Sequence, residues 1–209
     1  MFIMTIQIDT SLTEHPFWQF SCQIYDQAKE ELLHLQNRHG LNINILLFCI
    51  WFTITYHTNL SKTDIKHILT MIHIWHERII LPLRRLRDSL PRTESESWQQ
   101  VLRNEILNTE LSAEYIEQSL ILSCVREKPI RNRKKLALQA SLAYRNILTY
   151  SQILYISLDQ MDFQSLSSLF QIVFPTLDSK IALNLWQVTS SGISNPKKSN
   201  CVQLELHLH

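Results

Sequence analysis

An almost unbroken apolar run, GLNINILLFCIWFTITY, occupies residues 40–56. Read with a helical period, it places apolar side chains on every face, and only Asn42 and Asn44 interrupt it near its start. A helix that is apolar all round is enclosed by other helices or by lipid. The apolar stretch is about 14 residues long, short of the roughly 20 that cross a bilayer. We therefore expect a central helix that the rest of the chain surrounds.

Glycine is scarce, since the 209 residues contain only Gly40 and Gly192. Tight β-hairpins and phosphate-binding loops both depend on glycine, so all-β folds and P-loop or Rossmann nucleotide sites are disfavoured. The fold class we predict is all-α, a bundle of six or seven helices around the central helix.

The composition is that of a folded protein, with 45% hydrophobic and 19% charged residues. A net charge of +1 argues against a globally basic nucleic-acid binder. The four cysteines form no CxxC pair, and we expect Cys22 and Cys49 to be core thiols in a reducing compartment. The N-terminus lacks the features of a secretory signal, which indicates a cytoplasmic protein without a transmembrane segment.

Capping and breaking residues predict the other helices. The first helix should end at Gly40 in a left-handed conformation. The third helix should begin with a capping box of Ser61 and Asp64 and be broken at Pro82. The fourth should begin with a capping box of Thr93 and Glu96. The predicted bounds are Pro16 to Arg38, Glu94 to Cys124, Asn132 to Leu158, a helix capped by Asp162 and ending at Val173, and a turn or helix at 181–187. We expect a helical core over residues 12–125, C-terminal helices packed on it over 126–188, and a flexible tail over 189–209.

Several short motifs resemble a known family. They are FWQFS at residues 17–21, LQNRHG at 35–40, NILLFCIW at 44–51, PLRRLR at 82–87 and ELSAE at 110–114. Together they are similar to an uncharacterised bacterial family of short all-helical proteins, a domain of unknown function, over roughly residues 12–155. The resemblance implies a helical fold, and it implies no activity, because the family has none assigned.

A first candidate site is a polar pocket. Asn44 shares a helix face with Trp51, and a buried amide without partners would cost about 1 to 3 kcal/mol. One interpretation is that Asn42 or Asn44 caps the central helix while Gln36 bonds the preceding loop. The other is that these amides orient a ligand. The residues of this candidate pocket are Gln36, Asn42, Asn44, Trp51, Trp75, Arg84 and Arg85.

A second candidate is a charged interaction face. Arginines cluster at 78–92, residues 94–117 hold six acids against Arg103, and residues 126–135 hold six bases against Glu127. Such helices either pair with one another across exposed edges or bind an anionic or protein partner. The residues of this candidate face are Arg87, Glu110, Glu114, Glu117, Arg131, Arg133, Lys134 and Lys135.

Catalytic and metal signatures are weak. Glu110 and Glu114 share a helix face, and His73 and His76 are three residues apart, but no further ligand is indicated and neither HExxH nor paired ExxH motifs occur. We assign no catalytic residue, no metal site and no cofactor, and leave open whether the protein is an enzyme.

These patterns leave three functions open. The first is a non-enzymatic cytosolic interaction or regulatory protein that binds another protein or itself. The second is an all-α enzyme or carrier for an anionic or lipid-like molecule between the helices. The third, RNA binding through residues 131–135, is the least favoured, because the basic stretch has little aromatic interleaving.

Overall fold

The computed structural model describes residues 15–91, 97–125 and 135–177. Within these ranges the chain forms eight α-helices and one π-helical turn, which confirms the all-α bundle. The first two helices adjoin, and the fourth continues through the π turn into the fifth, so the chain has six helical segments. The helices are α1 Pro16–Gln27, α2 Lys29–His39, α3 Ile43–Tyr56, α4 Lys62–Trp75, the π turn His76–Ile80, α5 Leu81–Ser89, α6 Trp98–Ser123, α7 Leu136–Ile153 and α8 Gln160–Val173.

Helix α3 is the centre of the bundle, as the apolar run predicts. Every residue from 44 to 53 is buried. Its most extensive packing is against α7, and it also contacts α1, α2 and α6. None of the helices in the described ranges combines the length and the apolar character needed to cross a membrane.

The predicted first helix is divided at Ala28, whose backbone leaves the helical region. Ala28 is fully buried, and the kink lets Phe17 and Ile24 before it and Leu32 after it all enter one core. Gly40 ends α2 in the left-handed conformation, at φ 67°, which confirms the predicted cap.

Helices α4 and α6 form the two arms of a long hairpin. The Ser61/Asp64 capping box that opens α4 is present as predicted. The sequence predicts that the helix is interrupted at Pro82. The structure has the interruption one turn earlier, where the chain forms the π turn. Proline has no N–H to donate to the preceding turn, and the wider turn ahead of it accommodates the loss.

Three predicted boundaries are wrong. Helix α6 begins at Trp98 with Ser97 as its cap, and Thr93 and Glu96 lie outside the described residues. Helix α7 ends at Ile153, because Tyr155 adopts a positive φ of 57°. The cap of α8 is Asp159, and Asp162 is instead the third helical residue, which completes a capping box with it. The predicted elements at 181–187 and 189–209 lie outside the described residues.

Helix α8 is held on α2 by charged side chains. The fully buried Asp162 carboxylate accepts from His34 Nε2 at 3.0 Å and His39 Nε2 at 2.8 Å, and Arg38 forms an ion pair with Asp159. The Arg38 guanidinium, together with backbone N–H groups of the α8 cap, lowers the pKa of Asp159 to about 2.

Acid should weaken this attachment. A carboxylate whose pKa is lowered by folding contributes stability that is complete above its unfolded value, 3.8, and is lost as the pH falls through about 2. We expect the carboxyl carbon of Asp159 to titrate near pH 2 by NMR and to move toward 3.8 in Arg38→Gln. Unchanged titration in that variant would contradict the ion pair.

The cysteines differ in accessibility. Cys49 is buried in α3, as predicted, whereas Cys22 is exposed, because it lies on the face of α1 away from Phe17 and Ile24. Burial raises the pKa of the Cys49 thiol well above its usual range. In a Cys201→Ser variant at pH 8, we expect a thiol reagent to label Cys22 in the folded protein and Cys49 only after denaturation. Peptide mass spectrometry would detect the contrary, early labelling of Cys49.

Candidate functional site

Asn42 joins the start of α3 to two other helices. As the N-cap, its Oδ1 accepts from the backbone N–H of Asn44 at 2.8 Å and of Ile45 at 3.4 Å. Its own N–H donates to Tyr150 Oη of α7 at 2.9 Å. Its Nδ2 donates to Glu117 Oε2 of α6 at 3.0 Å.

Glu117 is fully buried and collects hydrogen bonds from two directions. Oε2 accepts from Asn44 Nδ2 at 2.7 Å as well as from Asn42, and Oε1 accepts from His76 Nδ1 at 2.8 Å. Asn44 is held in turn by Gln118 Nε2, which donates to its Oδ1 at 2.8 Å. We call this group the polar centre; it consists of Asn42, Asn44, His76, Glu117, Gln118 and Tyr150.

The position of one hydrogen follows from these contacts. A carboxylate only accepts, so His76 Nδ1 carries a hydrogen and donates it to Glu117. Asn42 Nδ2 also lies 3.0 Å from that nitrogen, and it donates one of its two hydrogens to Glu117 Oε2. His76 begins the π turn, and such turns occur frequently at functional sites.

A second group of charges adjoins the polar centre along α6. Arg84 donates through Nε to Glu110 at 3.1 Å, through Nη1 to Gln36 Oε1 at 2.8 Å and through Nη2 to Glu114 at 2.8 Å. Arg87 Nη1 lies 2.7 Å from the other Glu110 oxygen. We call this the arginine-carboxylate group; it consists of Gln36, Arg84, Arg87, Glu110 and Glu114. It ties α2 and α5 to α6.

Burial and the row of carboxylates on α6 shift the pKa values within this group. Burial raises the pKa of Glu114, Arg84 opposes the rise, and Glu110 and Glu117 add to it. Burial opposes the charge on Arg84, but the carboxylates of Glu114 and Glu110 outweigh it and raise the pKa of Arg84. Perturbed groups of this kind occur in functional sites and in structural ion-pair networks alike.

The two sequence-predicted sets overlap in this region. Four residues of the candidate pocket lie beside Glu117 and other residues of the candidate charged face. They are Gln36, Asn42, Asn44 and Arg84. Their polar atoms bond one another. The members of that face in this cluster are Arg87, Glu110, Glu114 and Glu117.

The remaining predicted residues lie apart from this cluster. Trp75 Nε1 donates to the Ala113 carbonyl oxygen at 2.9 Å, which fixes α4 on α6. Trp51 lies among aromatic rings at the other end of α3, and Arg85 is exposed. Lys135 is exposed at the start of α7. Arg131, Arg133 and Lys134 lie outside the described residues, so binding through this basic stretch stays a prediction.

Sequence reasoning missed several members of the polar centre. His76 stood out only as half of a weak metal-binding pair with His73, and Tyr150 was not singled out. A tyrosine hydroxyl or imidazole on a buried helix face needs a partner, which is the signal that could have identified both. In the described residues, no cluster of three or more His, Cys, Asp or Glu side chains could hold a metal ion.

Comparison with known proteins gives one match. Residues 16–121, just over half of the chain, match a family described as a protein of unknown function, DUF2390. The chain belongs to this family. No curated protein and no solved structure matches it. The resemblance read from the sequence is thereby confirmed at the level of the family.

The DUF2390 match contains nearly all of the polar centre and the whole arginine-carboxylate group. It ends at residue 121, just beyond Glu117 and Gln118. Tyr150 lies outside it, although its hydroxyl bonds the first residue of the polar centre. In this member of DUF2390, α7 therefore completes a hydrogen-bond arrangement whose other residues lie within the matched region.

Proposed function

We propose that this protein is a non-enzymatic helical interaction protein of the cytoplasm, and that it binds a protein partner through the first two turns of α6. The observation that carries the proposal is an exposed apolar face. Trp98 is 72% exposed, Val101 57% and Leu102 45%. These residues are three and four positions apart, so their side chains are neighbours on one side of the helix.

A partner explains this exposure better than solvent does. Single exposed apolar residues are ordinary, whereas large contiguous apolar patches mark interaction sites. Tryptophan is also enriched among the residues that contribute most to binding between proteins. Met71 and Ile74 are likewise exposed on α4, which packs against α6.

The pairing of charges favours an apolar rather than a charged binding surface. Arg84 and Arg87 bond Glu110 and Glu114 of the same chain, so binding a partner through them would first require breaking ion pairs, two of which hold the buried carboxylate of Glu110. Breaking such a pair costs about 3 to 5 kcal/mol. The polar side chains between α2, α5 and α6 already bond one another, which argues against a ligand bound among them.

Photo-crosslinking tests the proposal in the full-length protein. A photoreactive phenylalanine analogue would replace Trp98 in cells of the native host. The matched control places it at Leu138, which is 48% exposed on α7. We expect one discrete adduct, with a second copy of the chain or with one other protein, from position 98 and none from position 138.

A second variant checks that the adduct depends on the face. Val101→Glu puts a charge beside position 98 without touching a buried residue, and we expect it to abolish the adduct. Absence of any adduct at position 98, or equal adducts at 98 and 138, would overturn the proposal.

A further inference from the structure

The exposed apolar residues at the start of α6 belong to a longer face that points away from the bundle. We call it the outer face of α6. Its residues follow one another in alternating steps of four and three along the whole helix, a repeat typical of helices that pack against another helix. Seven of the eight are exposed, and the other, Ser112, is half-buried. They are Trp98, Leu102, Glu105, Thr109, Ser112, Ile116, Ser119 and Ser123.

The hydroxyl groups on the outer face are already bonded within α6. Thr109 and Ser112 each donate to the backbone carbonyl oxygen four residues earlier, at 2.9 Å. Ser119 and Ser123 also donate to carbonyl oxygens of the same helix. Covering these side chains therefore leaves no hydroxyl hydrogen without an acceptor, which lowers the usual cost of burying a polar group. Small side chains also let a second helix approach closely.

The outer face is complementary to itself in an antiparallel arrangement. Residue 107 is the midpoint of 98 and 116, of 102 and 112, and of 105 and 109. In an antiparallel pair of α6 helices centred there, Trp98 faces Ile116 of the second copy, Leu102 faces Ser112, and Glu105 faces Thr109. Each large apolar side chain then meets an apolar or a small one. Ile116, which is 42% exposed, thereby gains an apolar neighbour.

The charges favour a second copy over an unlike partner. Glu105 is the one charged residue among the eight of the outer face, so the face has no pattern of charge that would select an acidic or a basic protein. In a parallel pair Glu105 would lie directly against Glu105 of the second copy. In the antiparallel pair the two carboxylates are offset by about one helical turn, or about 6 Å along the axis.

We propose that α6 pairs antiparallel with α6 of a second copy of this chain. This inference rests on the proposed function and names the partner of the same site. Each copy contributes the same residues, so the contact closes as a dimer. The overlap over residues 98–116 is about 28 Å long. One helix pair of that length is small beside the roughly 1,000 Å² that stable interfaces bury, so the dimer should be weak and depend on concentration.

Photo-crosslinking of the purified full-length chain tests the pairing. Chains with the photoreactive phenylalanine analogue at position 98 would be prepared with and without nitrogen-15, mixed in equal amounts and irradiated. We expect crosslinked peptides that join position 98 to the residues around Ile116 and that combine one labelled with one unlabelled chain. Crosslinks within one chain, or between position 98 of both copies, would overturn the proposal.

Two matched variants locate the contact by sedimentation equilibrium. Ile116→Glu puts a charge opposite Trp98 of the second copy and should weaken the dimer at least about tenfold. Leu111→Glu is the control, because Leu111 is 43% exposed on the same helix but lies about 140° around it. We expect the control to leave the dimer Kd unchanged. Equal Kd values for Ile116→Glu and wild type, or equal weakening in the control, would contradict the pairing.

Glu105→Gln tests the symmetry of the contact. It removes the repulsion between the two carboxylates and should strengthen the dimer about threefold. An unlike partner has no Glu105 of a second copy at this place, so a weaker dimer in Glu105→Gln would count against the pairing.

The outcomes separate this inference from the proposed function. A chain that stays monomeric in sedimentation equilibrium, yet gives an adduct at position 98 with another protein in cells, would overturn the pairing and leave the proposed function in place. Absence of any adduct at position 98, in the purified protein and in cells, would overturn both.

Discussion

Replacement of Glu117 by leucine is expected to lower the free energy of unfolding by about 3 to 5 kcal/mol, because three buried hydrogen-bond donors lose their common acceptor. The leucine leaves Asn42 Nδ2, Asn44 Nδ2 and His76 Nδ1 without their acceptor in a buried site. Each buried donor that loses its partner costs about 1 to 3 kcal/mol. Urea unfolding followed by circular dichroism measures the loss.

Glu117→Gln separates hydrogen bonding from charge. Its amide oxygen can still accept from Asn42 and Asn44, and its NH₂ can donate to His76 if the imidazole moves its hydrogen to Nε2. We therefore expect a smaller loss, about 1 to 2 kcal/mol. If Glu117→Leu were no less stable than Glu117→Gln, Glu117 would not hold the polar centre together.

Replacement of Arg84 by methionine should have the next largest effect, a loss of about 2 to 4 kcal/mol at neutral pH, since one arginine serves two carboxylates and a glutamine. Arg87 still compensates Glu110, so the effect is smaller than for a pair with no other partner. Methionine retains most of the packing of the arginine stem.

The loss in Arg84→Met should depend on pH. Arg84 opposes the rise in the pKa of Glu114, so its removal raises that pKa further. A raised carboxyl pKa means that the folded state takes up a proton more readily than the unfolded state, and the variant regains stability as the pH falls. The difference from wild type should therefore shrink on acidification.

Arg85→Met is the matched control for Arg84→Met. Arg85 is the adjacent residue on the same helix, it is exposed, and the change of side chain is identical. Substitutions of this kind usually alter stability by less than about 0.5 kcal/mol. Equal losses in the two variants would contradict the ion pairs of Arg84 with Glu110 and Glu114.

The sequence was sufficient for features that depend on neighbouring residues. The apolar run predicts α3, the position of Gly40 predicts a left-handed cap, and Ser61 with Asp64 predicts the start of α4, because each rests on interactions within one helical turn. The resemblance to a family of unknown function was also predicted, and the match over residues 16–121 confirms that family. The position of Asp162 could not, because either it or Asp159 is a suitable cap.

The partners of Glu117 could not be read in this way. Asn44 and His76 reach it from 73 and 41 residues away, and contacts over such distances depend on how α3, α4 and α6 pack. The helical pattern of the apolar run identified Asn44 as an amide that needed a partner. It did not show that an acid assigned to a separate charged face supplies that partner. Nor did it show that Trp51, on the same helix face as Asn44, lies among aromatic rings instead.

The claim that Glu117 and the amides of α3 act as one unit is tested most directly by a double-mutant cycle. Stabilities would be measured for wild type, Asn44→Ala, Glu117→Leu and the double variant. Asn44 Nδ2 donates to Glu117 Oε2 at 2.7 Å, so we expect a coupling free energy of about 1 to 2 kcal/mol. Additivity within about 0.5 kcal/mol would show that the two side chains do not interact, and would contradict the polar centre.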